Sequence, residues 1–413
     1  MQNKDKNPRL GLGLAEARSA PASNRSNGLA RVELSVLGRK YPAFTFCGYI
    51  GVLVALVLAM GLTLKSDLSP AVMGMIVVSA ILTFLGLVAV TKVISGEEQI
   101  IYYHNEIAIL LVVALTVKAL NRPVLPYLDV TILGIGAFLS CGRIGCLLVG
   151  CCHGRPSPWG IRYREEHARQ GFAPHLVNIT LFPIQALESL WVLMVVCVGV
   201  FLVWRSQPAG NALEWYTVGY GVVRFILEFI RGDIERPYTF GFSQGQWLSL
   251  WLISALVWGE WAGQVPFHAW HSVALAALVM VMTATTLYRK HDRSQRFRIL
   301  HPHHVSEVAA LVGGTPAVLL EGRHKGRSCV EHVGCTSAGI QISQGRVEDP
   351  AAVTNHYTFS SRDGAMSQAS ALLLAELILR LQRESRPSQV FPGDYGVFHL
   401  LLVQKRENGQ SHA

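Results

Sequence analysis

The sequence predicts an all-α polytopic membrane protein with seven to eight transmembrane helices, followed by a small soluble α+β domain. Composition supports the membrane part, because 51% of the 413 residues are hydrophobic, only 15% are charged and the mean hydropathy is +0.33. A soluble domain carries about 25% charged residues. The second observation is an abrupt change after Tyr288, where long apolar runs give way to mixed polar sequence.

Eight runs of the sequence are long and apolar enough to be considered as membrane spans, since crossing a bilayer core takes about 20 helical residues. They are 44–64, 70–93, 99–120, 126–149, 185–204, 214–231, 246–263 and 268–288. The third run has a polar start, and the seventh is short and contains Glu260. The expected number of spans is therefore seven to eight, within a transmembrane domain at 44–288.

The regions that flank the spans are polar and basic. Residues 1–43 are rich in Ser, Asn and Arg, which is typical of a disordered tail. A helical pattern over 366–382 and a strand-like run over 396–403 indicate a soluble α+β domain at 296–406. The net charge is +9, and the basic residues in these flanks indicate contact with anionic membrane lipids. Neither flank has the interleaved aromatic pattern that would favour nucleic-acid binding.

The segment from Gly142 to Pro156 combines an arginine with several thiols at the end of an apolar run. An arginine at membrane depth costs from a few to more than about ten kcal/mol, so Arg143 is a candidate functional residue. The same segment contains Cys141, Cys146, Cys151, Cys152 and His153. These side chains suggest a metal or redox site, but the tight C-x2-C spacing is missing. Positions five apart on a helix also point about 140° away from each other.

Three groups of polar residues interrupt the apolar runs. The first contains His104, Asn105 and Glu106, the second Arg143 and Arg155, and the third Tyr220, Arg224, Glu228 and Arg231. Arg224 and Glu228 are four residues apart, so they share a helix face and can pair. Arg143 and Arg224 together predict a clamp for a phospholipid headgroup, because a planar guanidinium binds phosphate through two hydrogen bonds.

The order of these motifs resembles the prolipoprotein diacylglyceryl transferase family. The resemblance covers residues 44–264, and the sequence after about residue 290 lies outside it. The motifs are His104, Asp129, Gly142-Arg143-Ile144-Gly145, Gly154-Arg155-Pro156, Pro183-x-Gln185-x-x-Glu188, Tyr220-Gly-x-x-Arg224-x-x-x-Glu228-Phe229-x-Arg231 and Gly245-Gln246-x-x-Ser249. Each motif is weak alone, whereas their shared order at the ends of spans is specific.

The resemblance implies transfer of a diacylglyceryl group from phosphatidylglycerol to the lipobox cysteine thiol of a lipoprotein precursor, with release of glycerol phosphate. It implies a multi-pass protein of the bacterial cytoplasmic (inner) membrane, with no cofactor and no metal. His104 would be the base for the thiol, while Arg143 and Arg224 would hold the phosphate. The remaining substrate-binding candidates are Tyr220, Glu228, Arg231, Arg155, Gln185, Glu188, Gln246, Cys146 and Cys151.

The sequence departs from the family pattern at two positions near Arg143. Cys146 stands where the family has Asn, and Cys151 stands where it has Glu. An aromatic hydroxyl expected in the first span is missing from its place, near which Cys47 lies, and Tyr49 is the residue that could substitute for it. Two alternatives therefore stay open, namely a catalytically altered lipid-binding membrane scaffold and a Cys/His metal or redox membrane protein.

Overall fold

The computed structural model of the chain describes most residues after the first 28 in two compact units, which divide between Met282 and Thr283. The described residues are 29–96, 102–234, 236–292, 295–313, 322–324, 327–348, 352–362, 364–382 and 389–405. The first unit is mainly helical, and the second is built on an antiparallel sheet.

The long apolar runs of the sequence form helices. In chain order the helices are α1 (Ala43–Lys65), α2 (Pro70–Ser95), α3 (Tyr102–Ala119), α4 (Val124–Val149), α5 (Glu165–Ala168), α6 (Ile184–Trp204), α7 (Asn211–Leu227), α8 (Gln244–Trp261) and α9 (Ala269–His291). Among the described residues, α1, α2, α4, α6 and α9 are long and apolar enough to cross a membrane, judged by length and composition. A multi-pass helical membrane protein is thus confirmed, while the count of seven to eight spans stays a prediction.

Each predicted span corresponds to a helix whose ends lie within a few residues of the expected ones, although residues 97–101 lie outside the described part of the chain. The largest difference is at the end of the span predicted at 214–231. Helix α7 ends at Leu227, where the chain turns, and Arg231 then forms an antiparallel bridge with Gly154. That turn brings the following loop back over the helix ends.

Helix α4 is the central helix of the first unit. It packs against α1, α3, α6 and α7. Within its most apolar 18-residue stretch, 56% of the residues are buried, whereas the other four apolar helices bury 33% or less of the corresponding stretch. The packing is close because small residues lie at the contacts, as is common between membrane helices. A Cβ atom on Gly136 would lie 2.4 Å from the Tyr216 ring, so only glycine fits there.

The end of the predicted disordered tail is ordered, so the expectation for 1–43 is wrong in its last part. Residues 1–28 lie outside the described residues, whereas a hairpin of β1 (Glu33–Val36) and β2 (Arg39–Pro42) leads directly into α1. Its turn residues Leu37 and Gly38 have φ of 51° and 76°, as type I′ hairpins require. The hairpin is held because Ala30 and Val32, which precede it, are buried.

Short strands occupy the two loops that follow α4 and α7. The first loop contains β3 (Pro156–Arg162) and β4 (Thr180–Leu181), and the second contains the hairpin of β5 (Tyr238–Thr239) and β6 (Phe242–Ser243). The Ser243 side chain caps the first turn of α8, and Gln246 completes a capping box. These loops position the polar residues at this end of the helices.

The second unit combines helices with one antiparallel sheet of strand order β11-β12-β10-β9-β8-β7. Its elements are α10 (Arg296–Ile299), α11 (Pro302–Gly313), β7 (Gly322–His324), β8 (Arg327–Cys335), β9 (Ile340–Glu348), β10 (Ala352–Ser361), α12 (Gln368–Leu381), β11 (Gln389–Pro392) and β12 (Phe398–Lys405). The fully buried side chains of Tyr357, Phe359, Leu374, Ile378 and Leu400 form its core. A C-terminal sheet domain is therefore confirmed.

Candidate functional site

Polar side chains meet where α4 and α7 end and where α6 and α8 begin. We call this group the arginine cluster. It comprises Arg143, Arg155, Arg224, Arg231 and Arg236 together with Glu188, Glu228 and Asp233. Residues far apart in the chain reach it because four helix ends coincide there.

Glu188, on the first turns of α6, joins the two arginines that the sequence singled out. Its Oε2 lies 3.0 Å from Arg143 Nε, and its Oε1 lies 3.3 Å from Arg224 Nη1. The Tyr220 hydroxyl donates a 2.9 Å hydrogen bond to the same Oε1. All four side chains are buried. The expected pair of arginines is thus bridged by a carboxylate of the protein itself.

Glu228, at the C-terminal end of α7, holds three arginines. Its Oε1 lies 2.7 Å from Arg224 Nη2 and 3.3 Å from Arg231 Nη1, while Oε2 lies 2.6 Å from Arg236 Nη1. The predicted pairing of Arg224 with Glu228 is present. Because each carboxylate oxygen meets a guanidinium, Glu228 supplies a fixed negative centre for this side of the cluster.

Asp233 completes the cluster from the loop after α7. Arg231 donates from Nε and Nη2 to its two carboxylate oxygens, each at 2.9 Å, in a bidentate pair. Counted over the described residues, five arginines against three carboxylates leave the cluster with a net charge of +2. A positive charge in a buried environment favours the binding of an anion.

Two donors of the cluster make no hydrogen bond among the described residues, namely Arg143 Nε, which keeps its ion-pair contact with Glu188, and Arg224 Nε. Arg224 Nε is buried and has no hydrogen-bond partner among the described residues. An unsatisfied buried donor costs about 1–3 kcal/mol, which an acceptor oxygen from a ligand would recover. The Arg224 guanidinium is therefore anchored through its two terminal nitrogens, with its third nitrogen unused.

The Gly154-Arg155 segment forms a strap between the two loops. The Gly154 amide donates to Phe182 O at 3.2 Å, and the Arg155 amide donates to Ile230 O at 3.0 Å. A Cβ on Gly154 would lie 2.5 Å from Phe182 O, so the strap requires glycine at this position. Arg155 Nε donates to Arg231 O at 3.4 Å. Arg155 thus supports the backbone on which Arg231 sits.

His153 lies buried at the start of the strap, beside the Phe172 ring. Burial lowers the pKa of its imidazole below the ordinary value of 6.5, so the ring is neutral at pH 7. Its Nδ1 donates to Gly154 O at 2.9 Å, since the carbonyl can only accept. This histidine is a structural part of the strap.

His104, the candidate base, lies at the exposed edge of the site. Its Nε2 is 2.8 Å from Gln244 Nε2, so the amide donates to the ring nitrogen. The neighbouring Tyr103 points inward, where its hydroxyl bonds to Ser249 at 2.7 Å and its ring packs against Tyr220. In the described part of the chain, the hydrogen bond of His104 thus goes to α8 and not to an arginine.

The two glutamines of the motifs are buried and bonded to the protein backbone. Gln185 Nε2 donates to Cys151 O at 2.8 Å, which fixes the turn after α4 against α6. Gln246 Oε1 accepts from the Ser243 amide at 3.0 Å, and its Nε2 donates to Phe225 O at 3.4 Å. Their described contacts position the helix ends that carry the arginines.

Three thiols converge beside the cluster. The sulfur atoms of Cys146, Cys151 and Cys152 lie within 4.8 Å of one another, and none of the three forms a disulfide. The expectation that residues five apart diverge is wrong here, because it assumed a continuous helix. Helix α4 ends at Val149, and Gly150 reverses the chain with φ of 91°.

Two members of the cluster, Asp233 and Arg236, were not predicted from the sequence. They lie in the run Arg231-Gly-Asp233-Ile-Glu-Arg236, directly after the predicted end of a span. Alternating charges at that position are the signal that could have identified them, because charges beside a span seek partners. Every other member of the cluster was singled out from the sequence.

Comparison with known proteins agrees with the motif order. The family model of prolipoprotein diacylglyceryl transferase matches residues 41–262, slightly more than half of the chain. A phosphatidylglycerol–prolipoprotein diacylglyceryl transferase of Clostridium tetani is 36% identical over 141 residues, covering 33% of this chain and 53% of the relative. A protein of that name from Nitrosospira multiformis is 35% identical over 154 residues, covering 33% and 46%.

A further relative, phosphatidylglycerol–prolipoprotein diacylglyceryl transferase 2 of Clostridium perfringens, is 30% identical over 135 residues, covering 32% of this chain and 49% of the relative. The chain thus spans about half the length of the curated relatives it matches. The family model covers α1 to α8 and with them the whole arginine cluster. The chain belongs to the prolipoprotein diacylglyceryl transferase family.

Proposed function

We propose that this protein transfers the diacylglyceryl group of phosphatidylglycerol to the thiol of a lipobox cysteine in a lipoprotein precursor and releases glycerol phosphate. The observation that carries the proposal is the buried arginine cluster, with its net charge of +2 and the unused Nε of Arg224. Membership of the family and the names of the relatives support the choice of substrates.

The phosphate of the lipid is the anion that the cluster would bind. A phosphodiester carries one negative charge, which fits a cluster with a net charge of +2. Glu188 holds the guanidinium groups of Arg143 and Arg224 in place before the lipid arrives. Preorganised donors stabilise the charge that develops on the leaving phosphate without rearranging in the transition state.

The transfer forms a C–S bond and breaks a C–O bond. The lipobox thiol loses its proton, and the thiolate attacks the glyceryl carbon that bears the phosphate oxygen. His104 is the proposed base that accepts this proton, because its exposed side chain can be reached by the thiol of a precursor that approaches from outside the helix bundle. The electron pair of the C–O bond leaves with glycerol phosphate, whose charge the arginines stabilise.

The two cysteines that replace family residues alter the charge of the site. Cys151 stands where the family has a carboxylate, so this chain carries one negative charge fewer in the turn after α4. A more positive pocket supports binding of an anionic headgroup. Cys146 is buried and replaces an amide, which removes a hydrogen-bonding group from the pocket. We propose that these changes affect which headgroup is accepted.

The membrane arrangement that we propose adds α3, α7 and α8 to the five apolar helices. Each has 17 or 18 residues and packs against neighbouring helices of the bundle. Their polar residues, which lie in the site and at the opposite ends of α7 and α8, explain their lower hydropathy. This gives eight spans over 44–288 in the bacterial inner membrane, with a soluble domain at 296–406.

The test is a transfer assay with the purified full-length protein, labelled phosphatidylglycerol and a lipobox peptide. We expect labelled peptide from the wild type. Removing a donor that stabilises developing negative charge costs about 100- to 1,000-fold in rate, so Arg143→Ala and Arg224→Ala should lose activity on that scale. Arg224→Lys, which keeps the charge but loses the fork of donors, should also be impaired.

Matched controls separate the site from general damage. Arg380→Ala removes an arginine that pairs with Glu376 on the exposed face of α12, and it should transfer at the wild-type rate. No labelled peptide from folded wild type would contradict the transferase proposal and would favour a lipid-binding scaffold. Equal activity of wild type, Arg143→Ala and Arg224→Ala would contradict the phosphate role of the cluster.

The convergence of the three thiols favours a second candidate, a metal or redox function at Cys146, Cys151 and Cys152. Thiolates bind zinc, and three sulfurs within 4.8 Å need one more ligand for a tetrahedral site. Thiol alkylation with and without reductant, together with metal analysis of a Cys146→Ser/Cys151→Ser/Cys152→Ser variant, tests this candidate. Unchanged thiol reactivity and metal content would exclude it.

A further inference from the structure

A second buried polar group lies at the opposite ends of α7 and α8 from the arginine cluster. Glu214 is in the first turn of α7, and Glu260 is in the last turn of α8. His268 precedes α9 and His271 is in its first turn. Glu214 and Arg224 are ten residues apart on α7, which corresponds to about 15 Å along the helix. The proposed transfer reaction uses none of these four residues.

The four side chains converge on one point. One ligand atom from each of Glu214, Glu260, His268 and His271 lies within 4.8 Å of the others. His268 Nδ1 is 3.0 Å from Glu214 Oε2, and His271 Nδ1 contacts Glu260 Oε1. The two glutamates and His271 are buried, and His268 is about one-third exposed. The group is thus nearly closed to solvent.

Protein partners do not satisfy this group. In the residues that the structure describes, both oxygens of Glu214, Oε2 of Glu260 and Nε2 of His271 lack a hydrogen-bond partner. Neither glutamate forms an ion pair with a lysine or arginine of that described part. An uncompensated buried carboxylate costs several kcal/mol, so a cation bound between the two glutamates would stabilise this group.

We propose that Glu214, Glu260, His268 and His271 bind a divalent transition-metal ion of the zinc class. Two imidazole nitrogens and two carboxylate oxygens are ligands that zinc takes in tetrahedral sites. Bonds of about 2.0–2.1 Å place such ligands about 3.3 Å apart, so small side-chain rotations from the present spacing close the site. Mg²⁺ and Ca²⁺ fit less well, because they prefer oxygen ligands.

The charges of the site balance with such an ion. Two carboxylates and one divalent cation sum to zero, and the two imidazoles ligate in their neutral form. Four protein ligands leave no open position, which is typical of a structural site and not of a catalytic one. The ion would tie the start of α7, the end of α8 and the start of α9 together.

The test is metal binding by the full-length protein in detergent micelles. The protein is stripped with EDTA, dialysed against ZnCl₂ and then against metal-free buffer, and its zinc content is measured by mass spectrometry. We expect about one zinc per chain in the wild type. Glu260→Gln and His268→Ala should lose it, and zinc should raise the melting temperature of the wild type but not that of His268→Ala.

Two controls make the result specific to this site. His303→Ala removes a histidine that lies 3.2 Å from Glu307 on an exposed surface, so it should keep the zinc. The triple serine variant of Cys146, Cys151 and Cys152 distinguishes the thiols as an alternative source of binding, and it should also keep this zinc.

Three results would overturn the proposal. They are a folded wild type that binds no zinc, zinc retained in full by His268→Ala, and zinc lost only in the triple serine variant. If Glu260→Gln fails to fold, His268→Ala decides alone, because His268 is partly exposed and its removal disturbs packing less. Metal content is independent of transfer activity, so failure of this proposal leaves the transferase proposal untouched.

Discussion

Replacing Glu188 by glutamine tests the bridge at the centre of the arginine cluster. The substitution keeps the shape of the side chain and an acceptor for the Tyr220 hydroxyl, which lies 2.9 Å from Glu188 Oε1. It removes the negative charge that lies between Arg143 and Arg224. Any effect therefore reports the charge and not the packing.

The expected loss of stability follows from burial. Glu188, Arg143 and Arg224 are 2%, 6% and 8% exposed, so solvent screens these charges poorly. Removing one partner of a buried ion pair costs about 3–5 kcal/mol, because it leaves an uncompensated charge. We expect Glu188→Gln to lower the free energy of unfolding of the first unit by about that amount.

The assay is equilibrium unfolding in mixed micelles, followed by tryptophan fluorescence. Glu376→Gln is the matched control, because Glu376 pairs with Arg380 on an exposed helix face, and such pairs contribute less than about 1 kcal/mol. In the double variant Arg143→Gln/Glu188→Gln, the two losses should not add, since both substitutions remove the same pair.

An unfolding free energy for Glu188→Gln within about 0.5 kcal/mol of the wild type would contradict the bridging role of Glu188. Full additivity in the double variant would refute it as well, since it would mean that Arg143 and Glu188 do not interact. Either result would leave Arg143 without the anchor that the proposed phosphate site needs.

Three further predictions concern the frame around the site. Gly154→Ala should lower the melting temperature, because the added Cβ would lie 2.5 Å from a backbone carbonyl oxygen. Gly142→Ala is the control and should leave the melting temperature unchanged, because its Cβ would meet nothing within 4 Å. Asp129→Asn should cost about 1 kcal/mol of unfolding free energy, because the carboxylate accepts from the Gly210 amide and caps α7. Burial lowers the pKa of His153 below 6.5, so the contribution of His153 to stability is complete above pH 6.5 and falls as the pH is lowered. Between pH 7.5 and 5.0, the melting temperature of His153→Gln should therefore fall less than that of the wild type.

The helices were predictable because apolar runs of about 20 residues leave few alternatives in a membrane. The end of the span at 214–231 was not, since hydropathy continues through Phe229 and Ile230 while the backbone turns after Leu227. Strands of the second unit were mostly missed. Polar residues such as Gln341, Ser343 and Gln344 of β9 hide the alternation that a half-buried strand normally shows.

The residue types of the site were also predictable, but their pairing was not. Arg224 and Glu228 could be paired from the sequence because helical periodicity fixes their separation. Glu188 lies 36 residues before Arg224, and only the packing of α6 against α7 brings them together. The convergence of Cys146 with Cys151 depended on the left-handed turn at Gly150, which no pattern of cysteines reveals.

Diacylglyceryl transfer is measured as the mass of a lipobox peptide after incubation with phosphatidylglycerol and the purified full-length protein. We expect a peptide heavier by one diacylglyceryl group, attached to the cysteine sulfur, with an equal amount of glycerol phosphate released. Arg224→Ala should form this product about 100- to 1,000-fold more slowly. An unmodified peptide after incubation with folded wild-type protein would show that the protein does not catalyse this transfer.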